Sequence, residues 1–161
     1  MTWSKSSRRN VPITAATAEA DNRVLARLTQ ILEGDHDALV RARAATALGA
    51  LGNQEAFQAL ESALIDPHPT VRAQAINALG QIGGDQATIV LGDLLLYGST
   101  KPLERVMAAQ SLWKIDTEVA RNYLRTGSFD ANEQVRIASS KEPSHRAIRS
   151  VSEFQGAEES Q

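Results

Sequence analysis

The chain has 161 residues, with 17 Lys and Arg against 19 Asp and Glu and a net charge of −2. That length is one domain's worth of chain, and the charge balance argues against a dedicated nucleic-acid binder, which carries a basic face or stripe. Cysteine is absent, which excludes disulfides, thiolate metal sites and a cysteine nucleophile, and three histidines do not furnish a histidine-rich metal site.

Residues 1–20 are polar and rich in small side chains, with Trp3 among Ser, Lys and Arg. They read as a flexible N-terminal tail, and Trp3 is a candidate docking anchor. Lys5, Arg8 and Arg9 have no apolar stretch behind them, so the segment is not a secretory signal and the chain is expected in the cytoplasm. No apolar run approaches the roughly 20 residues that span a membrane. A degenerate helix is predicted over 22–32. After it the chain repeats itself. Residues 35–65 and 66–96 align without gaps and agree at 12 of 31 positions, among them Asp35/Asp66, Val40/Val71, Arg41/Arg72, Leu48/Leu79 and Gly49/Gly80. A period of this length is the signature of a helical repeat array. Each copy reads as two helices, a first, shorter one (54–65, 86–95, 117–125) and a second, longer one (38–51, 70–82, 102–115). Apolar residues recur at helical spacing, as in Val40, Ala44, Leu48 and Leu51, then Val71, Ala75, Leu79 and Ile82. Gly52 and Gly83-Gly84 stand where a glycine ends a helix. Pro67, Pro69 and Pro102 stand where a proline starts one. In the third copy the spacing grows by two residues around 97–100, Ser99 takes the Asp place and Glu104 the Val place. The fourth copy begins Phe-Asp-Ala-Asn-Glu-Gln-Val-Arg, with Asp130, Val135 and Arg136 in the signature positions.

Asp-x-x-x-x-Val-Arg followed by Ala-x-x-Ala-Leu-Gly-x-Leu/Ile-Gly resembles the HEAT-like repeat, in the subclass known from phycobilisome lyases. The resemblance covers about residues 22–140. It implies an all-α fold, a right-handed α-solenoid of about four HEAT-like helix-pair repeats, with a repeat domain over 21–140 and a polar C-terminal tail over 141–161. A short amphipathic helix over 144–154 would cover the last repeat with Ile148, Val151 and Phe154. The resemblance also implies a hydrogen-bonded ladder between copies, made by Asp35, Asp66 and Asp130 with Arg41, Arg72, Arg105 and Arg136. The ladder is expected to be weakest at the third copy, where Ser99 and Glu104 break the pattern.

Catalytic residues are not evident. His36 and His68 fall in equivalent turns and read as caps or solvent-facing groups rather than metal ligands. HEAT-repeat hydroxylases bind iron through His-Glu pairs, and no His-Glu dipeptide occurs here. Neither a phosphate loop nor a nucleophile elbow is present. The functional signal lies in the positions that do not repeat. On the longer helices, the third, sixth and tenth residues after the Val share one face. They are Arg43, Thr46 and Ala50, then Gln74, Asn77 and Gln81, then Met107, Gln110 and Lys114. The resemblance places this face on the concave side, as the floor of a groove for a protein partner. Trp113 replaces the repeated glycine; it either packs under the longer turn with Tyr97 or anchors a partner. The leading reading is a non-catalytic scaffold, adaptor or assembly factor, with no cofactor, no metal and no nucleic acid. The alternative implied by the resemblance is a phycobilin lyase subunit or phycobilisome-associated chaperone, with a bilin and a phycobiliprotein as partners.

Overall fold

The computed structural model describes residues 13–98 and 101–141. Within them the chain forms eight α-helices. The first three are α1 (Ile13–Gly34), α2 (Ala38–Leu51) and α3 (Phe57–Ser62), the last extended at both ends by 3-10 turns. Next come α4 (Pro69–Ile82), α5 (Gly84–Asp93) and α6 (Pro102–Ile115), and then α7 (Glu118–Gly127) and α8 (Glu133–Ser140). They pack as the consecutive pairs α1/α2, α3/α4, α5/α6 and α7/α8, and each pair stacks on the next. One helix pair cannot bury its apolar stripe alone, so the core runs continuously through the stack.

Local chemistry sets the boundaries. The Asp37 carboxylate accepts the Leu39 N–H at 2.7 Å and caps α2. His68 Nδ1 accepts the Thr70 N–H at 3.3 Å and caps α4, with Pro69 in the first turn. Thr117 and Asn132 cap α7 and α8 in the same way. Each cap satisfies an N–H that the helix itself leaves open. At their other ends α2 and α4 stop on Gly52 and Gly83, both with positive φ, and α6 stops on Asp116 with φ 53°. Aspartate is among the few side chains that adopt this conformation.

The core is aliphatic. Leu48, Leu60, Ile76, Leu79, Leu91, Leu95, Leu112 and Val135 are fully buried, and Ala44, Ala75 and Ala108 fill one equivalent position in three copies. Leu51 departs from the expected stripe: it is 46 % exposed, whereas its counterpart Ile82 is buried. The first helix also departs from expectation. It begins at Ile13, within the segment read as a tail, because Ile13–Ala20 is rich in alanine, the strongest helix former. Residues 18–24 are exposed, and Leu25 is buried in the core. The two-residue insertion begins as a π-helical turn, Leu94–Gly98, at the end of α5. The segment 144–154, Trp3 and the other residues of 1–12 lie outside the described residues.

Candidate partner-binding face

Helices α2, α4, α6 and α8 stack as one row, and α3, α5 and α7 form a second row behind it. The first row is drawn tightly together. A Cβ added to Gly49 would stand 2.7 Å from the Ala78 Cα, and one added to Gly80 would stand 2.7 Å from the Ser111 Cβ. These glycines therefore let α2 meet α4, and α4 meet α6, at close range. The second row is open at one junction and closed at the other. A cleft of about 650 Å³ opens between α3 and α5, over Phe57 and Val90. Between α5 and α7 the Tyr123 ring lies on Gly92. We call the row of α2, α4, α6 and α8 the inner row, after the side on which the sequence resemblance expects the concave face.

The non-repeating residues lie on this inner row. Arg43, Thr46, Gln81, Gln110 and Lys114 are exposed, and Gln74, Asn77 and Met107 are half-buried. Neighbouring helices are joined across this face. Thr46 Oγ1 lies 3.1 Å from Gln74 Oε1 and 3.0 Å from the Ala42 carbonyl, so its single proton serves one acceptor at a time. Met107 also lines a hollow of about 360 Å³ with Pro67, Pro69, Ala73 and Leu103. The face is polar, with one cation at each end and few apolar groups between.

Behind this face, at the turns, the arginines and acids form a regular bonding scheme. Arg41 Nε and Nη2 donate to the two Asp66 carboxylate oxygens at 2.8 and 2.9 Å, and Nη1 donates to the Asp35 carbonyl at 2.8 Å. This bidentate pairing holds the Asp66 carboxyl below the usual carboxylate range, with burial opposing and the His68 N–H assisting. The same hydrogen bond raises the Arg41 guanidinium. Arg105 donates to Asp130 one copy further on. Arg41 and Arg105 thus tie their own copies to the next turn. The third copy, expected as the weak rung, is not a gap. Glu104, standing where other copies have valine, accepts from Arg72 Nε at 2.9 Å, while Arg72 Nη1 keeps its bond to the Asp66 carbonyl at 2.8 Å. A longer acid one turn into α6 does what a shorter acid does in the preceding turn elsewhere. Arg105 compensates for the insertion by donating to the Leu95 carbonyl at 2.8 Å. At the ends, among the described residues, Asp35 accepts the Asp37 N–H, and Arg136 donates to the carbonyls of Asp130 and Ala131 in its own turn.

Trp113 is half-buried, and its Nε1 donates to the Ala138 carbonyl at 3.0 Å. Tyr97 does not cover it, being 82 % exposed. The indole instead fills the space beside α8, a helix of eight residues against 14 in its counterparts α2, α4 and α6. Among the described residues no group of three or more His, Cys, Asp or Glu could hold a metal ion, and no helix is long and apolar enough to cross a membrane. The sequence reading missed the bond from Trp113 to α8 and the role of Glu104. An acid in a valine position was the available signal for the second.

A family model described as HEAT repeats matches residues 25–103. Among solved structures the chain is similar to human deoxyhypusine hydroxylase in complex with glycerol, at 27 % identity and a TM-score of 0.64. That likeness covers 71 % of this chain and 40 % of the neighbour, so the chain spans under half of its length. No curated protein matches the sequence. The matched segment spans α2 to α5 whole, and helix pairs stacked in the same way continue from it to Ser140.

Proposed function

We propose that the chain is a non-catalytic cytoplasmic adaptor or assembly factor that holds a protein partner on its inner row. One observation carries this reading. Core and ladder positions repeat from copy to copy, whereas Arg43, Thr46, Gln74, Asn77, Gln81, Met107, Gln110 and Lys114 differ between copies and share one accessible face. Residues that no packing constraint dictates are free to specify a partner. Few charges on the face leave little to gain from counterion release, so nucleic acid is a poor fit. The neighbour's hydroxylase activity is not carried over, because no His-Glu dipeptide occurs in the chain.

The test is capture by the immobilised full chain, with the variant Arg43→Glu/Asn77→Glu/Gln110→Glu beside a control, Gln58→Glu/Gln86→Glu, on the outer row. The reading expects a partner retained by the wild type and the control, with at least ten-fold weaker retention by the inner-row variant. Equal retention by all three forms removes the inner row from the interaction. The phycobilin-lyase reading rests on the repeat motif alone, and the visible spectrum of the same eluate decides it: a bilin or coloured phycobiliprotein supports it, a colourless partner does not.

A further inference from the structure

The cleft between α3 and α5 lies on the second row, apart from the proposed partner face, and its charge is one-sided. From residue 44 to residue 100 the chain contains a single Lys or Arg, Arg72, out of 17. Arg72 is buried and committed to Glu104 and to the carbonyls of Asp66 and Pro67. The same stretch holds Glu55, Glu61, Asp66, Asp85 and Asp93. Asp66 is neutralised by Arg41. The other four are exposed, and among the described residues none of them pairs with a Lys or Arg. Glu55 and Glu61 line the cleft, while Asp85 and Asp93 stand in the first turn and at the end of α5, its other wall.

The cleft also offers apolar surface. Phe57 is buried, Val90 half-buried and Ile89 48 % exposed along its lining. Exposed Gln58 and Gln86 add side-chain amides, which both donate to and accept from a peptide backbone. One end is held in place: Gln54 Nε2 donates to the Ile82 carbonyl at 2.8 Å and ties the segment leading into α3 to the end of α4. A preformed site spends less of its binding energy on ordering. The volume of about 650 Å³ falls within the range of ligand clefts.

We propose that this cleft is a second docking site, for a basic peptide segment that carries an apolar side chain between lysines or arginines. The apolar side chain enters over Phe57 and Val90, and the flanking cations meet Glu55 and Glu61. Opposite charge selects such a partner and rejects others. Nucleic acids and anionic membrane surfaces carry the wrong sign. The site is separate from the inner row, so either can fail while the other stands.

The probe is a short dye-labelled peptide of alternating Leu and Lys, titrated with the full chain and read by fluorescence anisotropy. It is expected to bind the wild type and to bind Glu55→Lys/Glu61→Lys at least ten-fold more weakly. The control Glu19→Lys/Asp21→Lys makes the same change of charge at exposed positions of α1 and should bind like the wild type. Equal losses in the two variants would mean attraction to net charge alone and overturn the proposal. A peptide with Ser in place of each Leu is expected to bind at least ten-fold more weakly; equal binding reduces the cleft to an acidic surface and overturns it too. Ile89→Ser, which leaves the charge unchanged, should weaken the Leu peptide and spare the Ser peptide. Two other occupants are read with the same chain. If the wild type sediments as a dimer and Glu55→Lys/Glu61→Lys as a monomer, the cleft belongs to a second copy. If Lys5→Ser/Arg8→Ser/Arg9→Ser raises the affinity for the Leu peptide at least ten-fold, the cleft belongs to residues 1–12 of the same chain. Either result overturns the assignment to a separate partner.

Discussion

The α2/α4 and α6/α8 junctions are built from the same repeat and solve different problems. In the first, Gly49 removes its side chain so that α4 can approach, and Arg41 clamps Asp66 with two hydrogen bonds. In the second, Trp113 fills the place of the glycine and donates to Ala138, beside a helix six residues shorter than its counterparts (14 against 8). The ladder reaches this junction through Arg105 and Asp130, and among the described residues Arg136 closes on its own turn. The difference teaches that a repeat position specifies the separation it sits in rather than a residue type. Glycine is required where two backbones meet, and a large ring is tolerated where one of them has ended.

The largest effect should come from reversing that logic. Gly80→Leu is expected to cost about 3 kcal/mol or more, because its side chain would enter the space held by Ser111. Trp113→Gly should cost about 2 kcal/mol, since the indole is only partly buried. Chemical denaturation of the two variants checks the order, and a larger loss at Trp113 would break the comparison.

Second in size is the ladder. Arg72→Ala should cost about 2 kcal/mol by removing the guanidinium that donates to the part-buried Asp66 carbonyl and Glu104 carboxylate. A double-mutant cycle with Glu104→Gln should show positive coupling between the two residues. Additive losses would mean that Glu104 is not the rung it resembles.

Acid sharpens the account at the first junction. The Asp66 carboxyl is depressed chiefly by its hydrogen bonds from Arg41. Its contribution is therefore fully present above the unfolded carboxylate value of about 3.9 and is lost as pH falls through the lower folded value. Wild type should exceed Asp66→Asn in stability at neutral pH, with the gap closing in acid below about pH 3.9. A gap that persists unchanged to pH 2 would contradict the pairing. The smallest effect belongs to Tyr97. Its exposed ring predicts that Tyr97→Ser changes stability by less than about 0.5 kcal/mol, as for other surface sites. A loss comparable to that of Trp113→Gly would put the ring back under the indole.

Much of this architecture was legible in the sequence because it repeats. Two aligned copies expose the helix starts at Pro69 and Pro102, the stops at Gly52 and Gly83, and the buried stripe. What escaped depends on contacts between distant residues. Glu104 could be seen to break a valine position, but nothing in the local sequence says that its carboxylate meets Arg72. Leu51 matched the apolar stripe and is exposed, because periodicity fixes a face and not the neighbour that covers it. The N-terminal start of α1 was lost for the opposite reason: an alanine-rich stretch such as Ile13–Ala20 carries no apolar period to read. The inner-row residues were named from spacing alone, and their accessibility on three adjacent helices is what the fold adds.

The most direct test of the inner row is amide hydrogen exchange on the full chain, free and bound to the partner it captures. Exchange reports local opening and contact along each helix. The account predicts slowed exchange in α2, α4 and α6 on binding, with α3 and α5 unchanged. Slowing confined to α3 and α5 would place the partner in the cleft of the outer row and contradict the assignment.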